Sequence, residues 1–218
     1  MFEGLRTWNP WFGCNYGCYR KGCWACKLMA HRFGRRFKCD RCYDFTPHYH
    51  PERLTRIPKD PRIFVVGHGD FFAPWVPTDV IKEVLAACRG TPKETWFFET
   101  KNPVRYREFL KLFPENTMLS TTIETNRFFG AIVRGQTPPT IDRFRAIMSF
   151  TLPVHISIEP ILDFDLKEFV EWIKDIAPVK VSVGYDSLRN NLPGPPIEKT
   201  LQLIEALEGF TEVERKQL

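Results

Sequence analysis

The chain has 218 residues, 43% hydrophobic and 26% charged, with a formal net charge of +5. This composition allows one sizeable core and excludes a disordered or fibrous chain. No run approaches the roughly 18 consecutive apolar residues of a membrane span. The opening MFEGLRTWNP also lacks a charged stretch followed by an apolar one. A cytoplasmic protein with no membrane partner is therefore expected.

In chain order, strands are predicted at Leu5–Asn9, Arg62–Gly67, Thr95–Thr100, Thr117–Ile123, Val154–Ile158 and Val179–Gly184. Helices are predicted after each of them: Trp24–Phe33, Pro77–Cys88, Val104–Leu112, then Arg127–Val133 with Thr140–Ser149, then Leu166–Ile176 and Ile197–Leu207. Strands that are nearly all apolar imply burial on both faces, as in a parallel sheet. Six β–α units over a single domain, 1–218, fit an α/β fold: an open or partial (β/α)6 barrel, or a doubly wound sheet. The pattern does not separate these two.

Both architectures put their chemistry at the carboxyl ends of the strands. Polar residues follow every predicted strand: Trp8–Asn9, His68–Asp70, Glu99–Asn102, Thr122 with Glu124–Asn126, Ser157 with Glu159, and Tyr185–Ser187. Short polar residues there often only cap the next helix. Lys101, Glu124 and Glu159 are too long for that role.

Six of the seven cysteines fall between positions 14 and 42, a density that points to metal rather than disulfides. The seventh, Cys88, sits in an apolar helical run and reads as a core thiol. The Cys-rich segment, 9–45, reads Cys14-x3-Cys18-x4-Cys23-x2-Cys26, then Cys39-x2-Cys42. Cys23, Cys26, Cys39 and Cys42 have the spacing of two zinc knuckles. Cys14, Cys23 and Cys26, just after the first strand, could instead hold a [4Fe–4S] cluster with one open iron. The two uses exclude each other, because both need Cys23 and Cys26. If the cluster takes its three, Cys18, Cys39 and Cys42 remain, either for a second metal with a histidine such as His31 or His48 or as plain thiols. Arg32, Arg35, Arg36, Lys38, Arg41, Arg53 and Arg56 form a basic stretch beside these cysteines. It reads as a solvated loop or as a rim for phosphates.

Several segments resemble the phage Gp37/Gp68-type (DUF5131-like) family: TWNPWFGC at 7–14, Gly22–Cys26, FTPHYHPERL at 45–54, PRIFVVGHGDFF at 61–72, VPTDVIKEVL at 76–85, FFETKNPVRYREF at 97–109, the Thr122–Glu124 pair and SIEPIL at 157–162. That family looks like compact radical S-adenosylmethionine (SAM) proteins, distantly similar to spore photoproduct lyase. The resemblance implies a partial barrel of radical SAM type and a [4Fe–4S] cluster on Cys14, Cys23 and Cys26. It also implies SAM as cofactor, cleaved reductively to a 5′-deoxyadenosyl radical, and an electron donor as partner. The common radical SAM spacing is C-x3-C-x2-C, so the gap before Cys23 is longer here. Lys27, not an aromatic residue, follows Cys26.

By the same resemblance Gly67, Gly69 and Asp70 would approach the amino group of SAM, and Lys101 its carboxylate. Glu124 would meet the ribose hydroxyls, and Glu159 SAM or substrate. His68 is a candidate for the substrate pocket. Trp8 and Trp24, which flank the cysteines, could shield the cluster. The expected function is a radical SAM enzyme of unassigned substrate, with nucleic acid compatible. The competing reading is a zinc-stabilised nucleic-acid-binding protein built on Cys23, Cys26, Cys39 and Cys42.

Overall fold

The structure is a computed structural model, and it describes residues 4–18, 22–28, 39–130 and 135–218. Its main element is a seven-stranded sheet: β1 (Arg6–Trp8), β4 (Arg62–Val65), β5 (Thr95–Glu99), β6 (Thr117–Thr122), β7 (Val154–Ile158), β8 (Lys180–Val183) and β9 (Glu212–Arg215). Every neighbouring pair is parallel. Spatial order follows chain order from β1 to β9 without a reversal. A doubly wound sheet reverses at a switch point. An unreversed order is the winding of a barrel, here with β1 and β9 as edges.

The helices are α1 (Trp24–Leu28), α2 (Asp40–Tyr43), α3 (Thr78–Arg89), α4 (Thr140–Ile147), α5 (Leu166–Ile176) and α6 (Ile197–Glu208). In α3 the buried residues are Ile81, Val84, Leu85 and Cys88, the i, i+3, i+4, i+7 stripe of a helix laid on a sheet. Helix α5 buries Phe169, Trp172, Ile173 and Ile176, and it ends at Ala177 with φ 49° ahead of Pro178. Trp172 stacks on Phe144 of α4 with ring centroids 4.5 Å apart. Together with Trp96, Phe98, Leu119, Ile156, Val181 and Val183 of the strands, these side chains form one core.

The alternate strand residues are also buried, but they are polar: Ser120, Thr122, His155, Ser157 and Ser182. A hydrogen-bonded rung crosses four strands. The Ser120 Oγ lies 2.9 Å from His155 Nδ1, His155 Nε2 lies 2.9 Å from Ser182 Oγ, and Ser182 Oγ donates to Glu214 at 2.9 Å. Period-2 alternation thus puts apolar residues on the helix side and small polar residues on the other.

The six predicted strands are all present. β9 was not predicted, because its alternating charged sequence EVER is that of an edge strand. A two-stranded antiparallel hairpin of β2 (Trp11–Phe12) and β3 (His48–Tyr49) is a further addition. The predicted helix at 104–112 is a 3-10 segment, Pro103–Leu112. It is anchored by the Tyr106 hydroxyl, which lies 2.9 Å from the carbonyls of both Phe98 and Ser120. The helix predicted at Arg127–Val133 is not formed over 127–130, and 131–134 lie outside the described residues. Its first residue is instead drawn into ion pairs with Asp163 and Asp165. Of the helix predicted at Trp24–Phe33, residues beyond 28 lie outside the described residues. No helix among the described residues is long and apolar enough to cross a membrane.

Candidate cofactor cavity and metal centre

The carboxyl ends of the strands open into a cavity of about 490 Å³. Thr7, Gly67, Glu99, Thr122, Ser157 and Glu159 line it from the sheet, and Cys14, Cys18, Cys23 and Trp24 line it from the N-terminal segment. The loop after β8, with Tyr185, Asp186 and Leu188, forms another wall. This loop is tied to the Cys-rich segment: Asn190 accepts from Lys27 Nζ at 2.6 Å and donates to the Gly22 carbonyl at 3.1 Å.

Two glycines bring Cys14 to the cavity. Gly13 has φ +86°, and a Cβ on it would lie 2.5 Å from the Thr46 carbonyl. A Cβ on Gly69 would lie 2.7 Å from the Gly13 carbonyl oxygen. Only backbone this bare permits the Gly13–Gly69 bridge and the 2.9 Å bond from Gly13 N–H to the His68 carbonyl.

Asp70 is buried and accepts from the Thr100 hydroxyl and from the backbone N–H groups of Phe72 (3.2 Å) and Lys101 (2.8 Å). Its carboxylate thus fastens the end of β4 to the end of β5. Burial raises its pKa, against the lowering effect of those three donors. Lys101 lines the cavity and donates from Nζ to Glu124. Arg143 reaches the other Glu124 oxygen at 2.9 Å. Glu124 is thus held between two cations, and it faces a separate small cleft beside Arg127 and Arg143.

Glu99 and Glu159 share the cavity. Burial, with Glu159 close by, pushes the Glu99 carboxyl up to about 8, and burial raises Glu159 as well. His68, paired with Asn9 at 2.8 Å, is held neutral by burial, with its pKa down at about 4. Tyr16 also lines the cavity, and its buried hydroxyl has no protein partner among the described residues. A buried hydroxyl normally finds one. Trp24 reaches the cavity, whereas Trp8 packs into the core against Trp96 and donates to the Arg53 carbonyl.

Cys14 is half-buried and Cys18 buried, and burial raises both thiols, Cys18 to about 11. Cys14, Cys18 and Cys23 line the cavity. Cys26 does not line the cavity; like Cys14 it packs against a small cluster of Phe12, Cys42 and Phe45, and the sulfurs of Cys14, Cys23 and Cys26 are not gathered into one ligand group.

Cys42 of that cluster also belongs to the one group of metal-ligand type found among the described residues: Cys39, Cys42, His48 and His50. Their ligand atoms all lie within 4.8 Å of one another. The knuckle set Cys23, Cys26, Cys39 and Cys42 is not assembled, and Cys18 faces the cavity rather than Cys39 and Cys42. His31 lies outside the described residues. His48 was a sequence candidate and His50 was not. Their spacing, two apart on an extended segment, was the available signal, since it puts both rings on one side. Glu99 and Arg143 were also not singled out. Of the basic stretch, Arg53 is drawn inward to the Asn9 carbonyl at 2.7 Å, while Arg41 and Arg56 are exposed. Its residues 32–38 lie outside the described ones.

The fold and cavity define an α/β protein with a partial parallel barrel and a cysteine-lined cavity at its mouth. Residues 4–175 match the family described as "Protein of unknown function (DUF5131)", and the chain belongs to that family. No curated protein sequence matches it. Among solved structures it is similar to a double mutant of spore photoproduct lyase with bound AdoMet and dinucleoside spore photoproduct, with a TM-score of 0.59 and 10% identity. The match covers 96% of this chain and 64% of that one. At this identity the likeness is one of fold, and the chain spans less than two thirds of its neighbour.

Proposed function

We propose that the chain is a radical SAM enzyme, with a [4Fe–4S] cluster on Cys14, Cys23 and Cys26 and SAM in the adjoining cavity. One observation carries this reading. Cys39 and Cys42 are engaged with two histidines, which leaves Cys23 and Cys26 outside that group, with Cys14 and Cys23 on the cavity wall. Soft thiolates are the ligands such a cluster takes. The Tyr16 hydroxyl, without a partner among the described residues, and the polar wall of Glu99, Lys101, Ser157 and Glu159 accord with a polar ligand in the same space.

When bound, this pair of cofactors would supply a 5′-deoxyadenosyl radical for hydrogen abstraction. The chain's own residues would position and shield. Gly67 and Gly69 leave backbone room for the ligand at the end of β4. Lys101, steadied by Glu124, offers a cation to a carboxylate. Glu159 offers an acceptor, and Glu99, held protonated at neutral pH, offers a donor. Asp70 and Glu124 act through the groups they hold. Nucleic acid is the proposed substrate class. The bound dinucleoside of the fold neighbour supports it, as do the mild positive charge and the exposed Arg41 and Arg56. An electron donor is the implied partner. The seven unpaired cysteines accord with a reducing cytoplasm.

The test is anaerobic purification followed by iron and sulfide analysis, then incubation with SAM and dithionite. About four irons per chain and formation of 5′-deoxyadenosine are expected. A folded chain that takes up no iron on reconstitution overturns the proposal.

A further inference from the structure

We infer that Cys39, Cys42, His48 and His50 form a tetrahedral zinc site, separate from the cofactor cavity. The His48 Nε2 lies 3.4 Å from the sulfurs of both Cys39 and Cys42, and the His50 Nε2 lies 3.2 Å from Cys42 Sγ. A tetrahedral ion with bonds of about 2.3 Å to sulfur and 2.0 Å to nitrogen sets S···N edges of about 3.5 Å. Two thiolates and two imidazoles in that geometry suit Zn²⁺ and neutralise it.

The second shell is in place. The His48 Nδ1 lies 2.7 Å from the Thr46 carbonyl, and the His50 Nδ1 lies 2.7 Å from a Glu52 carboxylate oxygen. Both partners only accept, so each Nδ1 carries the proton. Each Nε2 then presents a lone pair toward the sulfurs, the tautomer and ring orientation that zinc-binding histidines need. The Arg53 guanidinium lies 3.9 Å from Cys42 Sγ. Cys42, His48 and His50 are buried, as a closed structural site requires.

Local geometry builds each half. Cys39 caps α2 and Cys42 sits one turn later, so their side chains share a face. His48 begins β3, which is paired to β2. Zinc would therefore clamp α2 to the hairpin, at the foot of the segment that carries Cys14. The Cys14 N–H donates to the Phe45 carbonyl at 3.3 Å, inside that clamp.

A two-iron cluster with the same ligand set is the chemical rival. It separates its cysteine and histidine pairs onto different irons, which the short S···N distances disfavour. The experiment uses the full chain, purified anaerobically with thiol reductant, and the variant C14A/C23A/C26A. About one zinc per chain is expected in both, with loss of zinc in Cys42→Ser and in His50→Ala. Where those variants fail to fold, cobalt(II) added to the metal-stripped wild-type chain should give the d–d bands and thiolate charge transfer of a tetrahedral S2N2 site. Zinc retained in C39S/C42S, a folded wild-type chain that binds neither zinc nor cobalt, or iron with labile sulfide in C14A/C23A/C26A would each overturn the inference. Because C14A/C23A/C26A lacks the proposed cluster ligands, its zinc content is independent of whether the radical SAM reading holds.

Discussion

The Sγ of Cys42 lies 3.2 Å from the Nε2 of His50, eight residues further along the chain. This contact redirects the cysteine arithmetic. As long as Cys39 and Cys42 needed two more thiolates, Cys23 and Cys26 were the obvious donors and no trio remained for a cluster. With two histidines completing the group, the cysteines near the cavity are released for other use.

The trio assignment separates Cys14 from Cys18, although both line the cavity. Cys14→Ala should reduce reconstituted iron to background and abolish 5′-deoxyadenosine formation. Cys18→Ala should keep both iron and activity. Iron analysis and the visible chromophore of the two variants, side by side, check this. A reversed pattern would move the cluster onto Cys18.

Gly13→Ala should destabilise the fold by about 2–3 kcal/mol, because it combines a positive φ with a Cβ driven into the Thr46 carbonyl. Gly17→Ala is the control. Gly17 also has a positive φ, +64°, but nothing lies within 4 Å of its Cβ position, so about 1–2 kcal/mol is expected. Urea denaturation of the pair measures the difference, and equal costs would show that the close approach is relieved cheaply.

Glu124 is buried between Lys101 and Arg143. Glu124→Ala leaves two cations in a dry site and should cost about 3–5 kcal/mol. A double-mutant cycle of Glu124→Gln with Lys101→Met should show coupling of at least about 1 kcal/mol. Additive effects in that cycle would mean that the pair contributes nothing as a pair.

The pH dependence has a sign. The Glu99 carboxyl goes from an ordinary value of 4.5 to about 8 in the folded chain, so the folded state binds the extra proton in that interval. Stability is then lost as pH rises toward 8. Glu159 and Asp70, also raised and facing the same cavity, act in the same direction; the Lys101 charge opposes the rise at Glu99 and Asp70, and the Lys216 charge that at Glu159. The buried histidines act the other way. His155 at about 3 and His68 at about 4 restore stability as pH rises to their ordinary 6.5. By pH 6.5 these histidines are neutral in the folded state, and only the fading protonation of the unfolded chain still opposes Glu99 above it. Tm of the chain without added SAM should therefore fall between pH 6.5 and 8, and Glu99→Gln should flatten that slope. A Tm that rises over the interval would contradict the assignment.

Much of the fold was legible because its signals are local. The strand Val154–Ile158 and the helix Leu166–Ile176 are read residue for residue from apolar runs of period 2 and 3.6. Polar residues after most of the strands do meet at one cavity, whereas Glu124, Thr125 and Asn126 line a separate cleft. What they do there was less legible. Asp70 and Glu124 read as ligands for a bound molecule; Asp70 lines the cavity, and each also holds neighbours from other elements: Thr100 and Lys101 for Asp70, Lys101 and Arg143 for Glu124. A carboxylate at a strand end looks the same in sequence whether its partner is a cofactor or the next strand.

The sequence by itself pointed the clustered N-terminal cysteines toward metal chemistry and determined that β–α units supply a parallel sheet. Both follow from residue type and short-range spacing. Only the tertiary structure decided between barrel-like and doubly wound order, because strand neighbours are set by crossover packing and not by any one segment. It also decided which ligands complete the Cys39–Cys42 pair. The C-x2-C spacing brings two sulfurs together within one helical turn. The other half of the group is supplied by a hairpin whose two strands are two residues each, too short to leave a periodic trace, so the histidines converge on the sulfurs only once β2 and β3 have paired.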